Sequence, residues 1–414
     1  MPRDTTFPLC YLSSVSGRSF KKTEPASTLR GDMENHEAYQ VPGNAMMNGL
    51  MNLHRRGLLA GAGVLALQLA AGPARARTGI AALDTPSLAV KNPAGVLLTA
   101  ITATPAKRLV AVGEHGVIIY SDDDGASWTQ ASVPVNVTLT CIAFATDRIG
   151  WAAGHFGVIL NTQDGGKTWR MQLNGIQANQ LTQAAAQAPT ITTDPSPGAP
   201  LAARRAQHFI DDGPDNPFLC LLVFSPQKVI AFGAYRMAML TDDGGKSWTD
   251  WSLHIYDKYS HDIYNAANIG GTYYLVMEEG LVFASTDGGN IFNPLTSPGG
   301  TSIFGILGAK DGSIVVFGVA GFAARSTDQG KSWTTLGIAS QQDLTAGRAL
   351  QNGALILVDE AGLVFESTDN GATFTRLQGT PPVPLFDLWQ APDGNLIAVG
   401  AAGVTQIAKS LLAS

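Results

Sequence analysis

The stretch SDDDGASW, residues 121–128, sets three aspartates in a row and a tryptophan four residues beyond the last of them. Alone, it reads equally well as an acidic catalytic or metal site and as a tight turn. The pattern Ser/Thr-x-Asp-x-Gly-x-Ser/Thr-Trp returns as TQDGGKTW at 162–169, TDDGGKSW at 241–248 and STDQGKSW at 326–333, with weaker copies STDGGNIF at 285–292 and STDNGATF at 367–374. One catalytic centre has no use for six copies of one carboxylate. An Asp side chain accepts hydrogen bonds from the N–H groups of a tight turn, Gly supplies the positive φ, and Trp buries a large area against a sheet. Asp123, Asp164, Asp243, Asp287, Asp328 and Asp369, with Trp128, Trp169, Trp248 and Trp333, are therefore expected to be turn-locks of the architecture, with no catalytic or metal role.

A second element precedes each acidic motif: an apolar run, a turn often written G-x-x-G, and another apolar run. The copies include LVAVGEHGVIIYS, GWAAGHFGVILNT, VIAFGAYRMAMLT, YLVMEEGLVFAS and LIAVGAAGVTQIA. Equivalent turn positions are Gly113, Gly154, Gly233, Met277, Gly318, Asp359 and Gly400, separated by 41, 79, 44, 41, 41 and 41 residues. A period of about 40–45 residues points to propeller blades. Seven copies predict an all-β fold, a seven-bladed β-propeller of four-stranded antiparallel blades, with an insertion at about 174–216 between blades 2 and 3. Continuous apolar runs fit sheets covered on both faces by neighbouring blades. The last unit stops before any acidic motif, and LDTPSLAV (83–90) is expected to supply its fourth strand and close the ring.

The N-terminal part reads differently. Residues 51–76 run from basic NLHRR through an apolar, small-residue stretch to PARA, the order of an export signal. Arg55 and Arg56 before Gly-Leu-Leu give it a twin-arginine look; an ordinary Sec signal and an uncleaved anchor are the alternatives. Residues 1–50 are expected to be either disordered or an over-long start, with translation beginning at Met46, Met47 or Met51. The propeller is expected over 77–414, extracytoplasmic and monomeric, with no integral span after signal cleavage. Eight of the 27 Lys/Arg and five of the 33 Asp/Glu precede residue 77, which leaves −9 on the rest. That balance gives no basic footprint for nucleic acid. Cys141 and Cys220 stand at matching places of adjacent blades and are expected as buried free thiols, and no metal or cofactor is expected.

The repeated acidic motif resembles the Asp-box, or BNR repeat. Combined with the 41-residue unit, it resembles the seven-bladed photosystem II stability/assembly-factor family within the WD40/YVTN/BNR-like group. The resemblance covers about 80–414 apart from the insert. It implies a non-enzymatic exported propeller that binds protein and helps assemble or stabilise a membrane-protein complex. The implied location is periplasmic, or the thylakoid lumen in a photosynthetic host. Asp-box propellers also include sialidases and glycan binders, and these form the alternative reading. The Arg-Ile-Pro stretch expected of a sialidase is missing. Glu278 with Asp359 is the one carboxylate pair that comes to mind for hydrolysis.

Up-and-down strands put the acidic boxes on one face. The turns between second and third strands, together with the blade-to-blade connections, fall on the other. That second face gathers exposed-type aromatics and charges, so it is the expected partner-binding face. Its candidates are Tyr235, Arg236, Tyr256, Tyr259 and His261; the insert's Arg204, Arg205 and His208; and His115, His155, Glu278 and Glu279.

Overall fold

The computed structural model describes residues 78–187 and 199–413; the stretch 51–76 expected as an export signal, and residues 1–50 before it, lie outside these. Seven antiparallel sheets follow one another along the chain. Blade 1 is β1 (Leu98–Ala103), β2 (Leu109–Gly113), β3 (Ile118–Ser121) and β4 (Thr129–Gln130). Blade 2 is β5 (Leu139–Phe144), β6 (Gly150–Gly154), β7 (Val158–Thr162) and β8 (Arg170–Leu173). The same order gives β9–β12 over 218–250, β13–β16 over 263–294, β17–β20 over 303–335 and β21–β24 over 344–376. The expected seven-bladed propeller is thus the fold. Its last blade holds three strands, β25 (Leu385–Gln390), β26 (Leu396–Gly400) and β27 (Gly403–Ile407).

The second strand is buried along its whole length in six blades, and over Tyr274–Met277 in blade 4. Its alternate side chains pack against the blades before and after, which is why it reads as an uninterrupted apolar run. Between blades 1 and 2, for example, Val110, Val112 and Ile118 meet Ala152, Val158 and Leu160. Each such side chain contributes about 1.5–3 kcal/mol of transfer free energy.

Two devices recur around the axis. The first strand of each blade carries a bulge at its second residue, at Thr99, Thr140, Leu219, Tyr264, Phe304, Thr345 and Phe386. Where that residue is Thr, its hydroxyl donates to the next blade: Thr99 to Leu139 O (2.5 Å), Thr140 to Phe218 O (2.5 Å) and Thr345 to Leu385 O (2.7 Å). The residue after each signature turn position donates its N–H to the carbonyl that precedes strand one, as in Glu114 to Leu97 O, His155 to Thr138 O and Ala234 to Pro217 O. A Cβ on Gly233 would stand 2.1 Å from that same Pro217 oxygen. In blade 4 Met277 holds that position in ordinary extended backbone (φ −141°, ψ 177°), and the next residue, Glu278, donates the equivalent N–H to Asp262 O.

Ring closure departs from the expectation. Residues 83–90 do not pair with β27. Ser87 N–H donates to Val133 O, Gln130 reaches Val90 N–H, and Leu83 is fully buried between blades 1 and 2. The reason is packing: Leu83 is drawn into the apolar core beside Val133 and Val135. Blades 7 and 1 close through side chains, with Ile397 and Val399 against Leu109 and Ile119, and through Asp387, which accepts the Ile101 N–H at 2.9 Å. The C-terminal Leu411 and Leu412 cover the blade 6–blade 7 core, near where a closing strand would lie.

Candidate functional site

The six boxes consume their own carboxylates. In each, the leading Ser/Thr hydroxyl takes the Gly N–H four residues on and donates to the Asp, as in Gly166 to Thr162 (2.9 Å) and Thr162 to Asp164 (2.8 Å). The Asp then accepts the N–H four residues downstream, at 2.9–3.1 Å in all six. These bonds favour the ionised form. They hold Asp123, Asp328 and Asp369 down at about 2, and Asp164 and Asp287 below the usual range against burial. Trp128 and Trp169 each return their indole N–H to the box Gly carbonyl, Trp333 gives its own to Thr296 O, and Trp248 is buried. A cleft of about 500 Å³ opens between blades 2 and 3 on this face. The carboxylate lining it, Asp243, is already bonded to Ser247 and Thr241.

The opposite face is built by turns whose middle residue sits in left-handed backbone. His115, Phe156, Tyr235, Glu279 and Ala320 have φ between +52° and +56°. Non-glycine residues rarely adopt this conformation, and it costs of order 1 kcal/mol each. The insert joins this face through α1 (Gly175–Gln187) and α2 (Ala199–Asp212). Asn216 O accepts the Gly157 N–H at 3.0 Å, and Phe209 and His208 of α2 meet the Tyr235 ring at centroid distances of 6.3 and 5.8 Å.

Around Tyr235 the chain is stapled into one rim. Tyr235 N–H donates to Asp262 Oδ1 (2.8 Å), Arg236 N–H to His261 O (2.9 Å) and Glu278 N–H to Asp262 O (3.0 Å). Blades 3 and 4 thus present Tyr235, Asp262 and Glu278 together, with the bulge residue Tyr264 two positions further on. Tyr264 lies edge-on to Phe304 of blade 5 at 5.2 Å. Burial, reinforced by the neighbouring Glu278, pushes the Asp262 carboxyl up to about 6. Burial and the carboxylates Asp262 and Glu278 also raise the Tyr264 hydroxyl.

The sequence candidates separate on this geometry. Tyr259 is 73% exposed, and Glu279, Arg204, His208 and His115 are exposed as well. Tyr235, Tyr256, His155 and Glu278 are half-buried. Two expected surface cations are internal. Arg236 is 1% exposed, and its guanidinium donates to the carbonyls of Ile255 (3.3 Å) and Asp257. The loop 251–262 folds over its turn and surrounds it, so Arg236 is a structural residue. Arg205 is likewise buried; it donates to Ser252 Oγ and lies 3.9 Å from Asp250, fixing α2 to the same loop. His261 is buried too, its Nδ1 at 2.8 Å from Asp257 and its Nε2 at 3.3 Å from Glu279. Burial opposes its charge, but Asp257 and Glu279 overcome this and raise its pKa. Burial keeps His155 below the ordinary value. His115 pairs with Asn136 at 3.2 Å, and no His/Cys/Asp/Glu group among the described residues converges as a metal site. Asp359, paired with Glu278 in the hydrolytic alternative, is fully buried and locks its own turn, accepting the Ala361 and Leu363 N–H groups and the Ser340 hydroxyl.

Asp262, Tyr264 and Phe304 were not candidates on sequence grounds. Aligning the first strands at the bulge position, where Thr alternates with Leu, Tyr and Phe, is the signal that finds the two aromatics.

A family model described as photosynthesis system II assembly factor YCF48 matches residues 121–186, from the first box through blade 2 into α1. No curated protein matches the sequence significantly. Among solved structures, YCF48 bound to a D1 peptide aligns with a TM-score of 0.55 at 15% identity, covering 78% of this chain and 98% of that one. YCF48 from Cyanidioschyzon merolae gives 0.56 at 15%, covering 77% and 97%. The WD40 propeller domain of Doa1 gives 0.54 at 11%, covering 80% and 98%. At such identities these likenesses are of fold. The chain is a seven-bladed Asp-box propeller resembling the photosystem II stability/assembly-factor family.

Proposed function

We propose that this protein is an exported, non-enzymatic scaffold that binds a segment of a membrane-protein subunit on the face opposite the Asp-boxes and aids assembly or stability of that subunit's complex. The observation that carries this reading is the rim of Tyr259, Tyr235, Glu278 and Glu279 on left-handed turns and a folded-over loop. That is backbone strain and exposed aromatic area on the side that the boxes leave free. The family match over 121–186 and the solved complex of the fold relative YCF48 with a D1 peptide support a peptide segment as the partner. No helix among the described residues is long and apolar enough to cross a membrane, which fits a partner reached from the aqueous side of the membrane. The site works by recognition: aromatic rings supply contact area, and the fixed loops hold them at little entropic cost.

The test is co-purification of tagged protein from detergent-solubilised membranes. A membrane subunit retained by wild type and lost with Tyr259→Ala plus Glu279→Gln is the expected result. Retention unchanged by that pair removes the face from the proposal, and hydrolysis of a glycan substrate by the purified protein would replace it.

A further inference from the structure

Blade 7 stops one strand short of the repeat. In five other blades the residue after strand four donates its N–H to the first residue of strand three: Ala131 to Ile118 O, Trp251 to Ala238 O, Leu295 to Val282 O, Leu336 to Ala323 O and Leu377 to Val364 O, all at 2.8–2.9 Å. The counterpart acceptor in β27 is Val404 O, because Val404 pairs with Val399 as Ile118 pairs with Val112. By the same register Gln406 matches Tyr120, which pairs with Thr129 of β4. Among the described residues no strand pairs with the outer edge of β27, and no bond of this kind reaches Val404 O. Such an edge is a template for a further strand.

The carboxylate of Glu366 lies at the same seam. It stands on β23 (Val364–Ser367) two residues after Val364, which packs in the core between blades 6 and 7, so both face blade 7. At the matching position of two other blades a donor reaches the next blade's box: Arg325 Nε to Asn370 O (2.9 Å) and Gln406 Nε2 to Gly125 O (3.3 Å). Blade 7 has no box. Glu366 is 5% exposed; its Oε2 accepts the Ala413 N–H at 2.8 Å, and its Oε1 is buried with no hydrogen-bond partner. The nearby cations are spent or turned away. Lys409 Nζ donates to Asp393 O at 2.9 Å, and Arg376 pairs with Phe365, one residue off, and so sits on the other face of blade 6. Leu411 and Leu412 already fill the apolar core here. What the seam lacks is polar: backbone partners for β27 and a donor for Glu366. A buried carboxylate oxygen without a donor costs free energy, and a cation that reaches it recovers that cost with a charge-assisted bond.

We propose that the open edge of β27 takes an extended segment of another protein as the fourth strand of blade 7, with a lysine or arginine of that segment reaching Glu366. The segment is basic because the acceptor left without a donor is a carboxylate. This contact lies on the perimeter of the ring and stands independently of the face that carries Tyr259 and Glu279.

The probe is the fluorescein-labelled peptide Gly-Ser-Thr-Val-Lys-Val-Thr-Ser-Gly, compared with a twin carrying acetyl-lysine and with a version that has proline at both valines. Anisotropy with the full protein is expected to show the lysine peptide binding at least tenfold tighter than the acetyl twin, and the proline version, which lacks two backbone donors, not binding. Glu366→Gln should remove most of the preference for lysine. Gln406→Pro, which takes an N–H from the edge, should abolish binding, whereas Gln406→Ala, which loses only the side-chain bond to Gly125 O, should keep it. Far-UV circular dichroism and the melting temperature verify that the variants fold; if Gln406→Pro does not, the proline peptide tests the same backbone bonds from the other side. Tyr259→Ala with Glu279→Gln should leave peptide binding unchanged, which separates this contact from the scaffold face. Equal binding of the lysine and acetyl-lysine peptides, no binding of either, or binding by the proline version overturns the proposal. A dimer in light scattering that Gln406→Pro dissolves would overturn it too, by giving the edge to a second copy of this chain.

Discussion

Replacing Asp262 by Asn should stabilise the protein, and only above a defined pH. The carboxyl is buried and sits beside Glu278, with His261 as the compensating charge, so its pKa rises from 3.8 to about 6. In the unfolded chain the same group titrates near 3.9. Between those values the folded state binds the extra proton, so stability falls as pH rises from about 4 to 6 and the penalty is complete above that. Two units of difference correspond to about 3 kcal/mol, and relaxation of the rim lowers the expected figure to about 1–3 kcal/mol. Asn keeps an oxygen for the Tyr235 N–H and removes the charge that Glu278 opposes. At about 2 cal/mol/K of unfolding entropy per residue, that is a rise of a few degrees in Tm at pH 8 for a domain of this size. Calorimetry of both proteins at pH 4 and pH 8 checks it. A shift equal at the two pH values, or a lower Tm at pH 8, would refute the reasoning.

Other expectations follow from the same geometry. The box carboxylates are depressed, so their contribution is fully present above about pH 4 and is lost as pH falls toward 2; an acid titration followed by tryptophan fluorescence should show the native signal holding to below pH 4 and collapsing beneath it. Gly233→Ala should cost about 1–3 kcal/mol in urea unfolding, because its Cβ meets the Pro217 carbonyl, and an unchanged midpoint would show that the turn can take the Met277 geometry freely. Arg236→Ala should cost about 2–4 kcal/mol by leaving the Asp257 carbonyl without its guanidinium donor and emptying a buried site, whereas Tyr259→Ala should stay within about 0.5 kcal/mol of wild type. Cys141 and Cys220 are buried and free, and burial pushes the Cys141 thiol up to about 12; neither should react with a thiol reagent until the protein is unfolded.

Much of this fold can be read along the chain because a propeller repeats itself in sequence as it does in space. The recurring turn positions, 41 residues apart at four of their six steps, count the blades, and the runs 109–113 or 355–359 are strands pressed on both faces. The box turns are local, so Asp, Gly and Ser/Thr within five residues suffice to specify them. What escapes a repeat is whatever departs from it. The loop 251–262 has no counterpart in the other blades, and it is this loop that buries Arg236 and Arg205 and lifts Tyr259 into solvent. Residues 83–90 are apolar enough to pass for a strand, yet Leu83 is drawn into the slot between blades 1 and 2. Asp262 was invisible because its character comes from neighbours in two blades, not from its own segment.

A photo-crosslinking amino acid placed at Tyr259 and, in a parallel strain, at Lys331 on the box face compares the two faces of the ring inside the cell. The proposed scaffold role predicts one membrane-protein subunit crosslinked from position 259 and not from position 331. Crosslinking of that subunit from 331 alone, or from neither position, would contradict it.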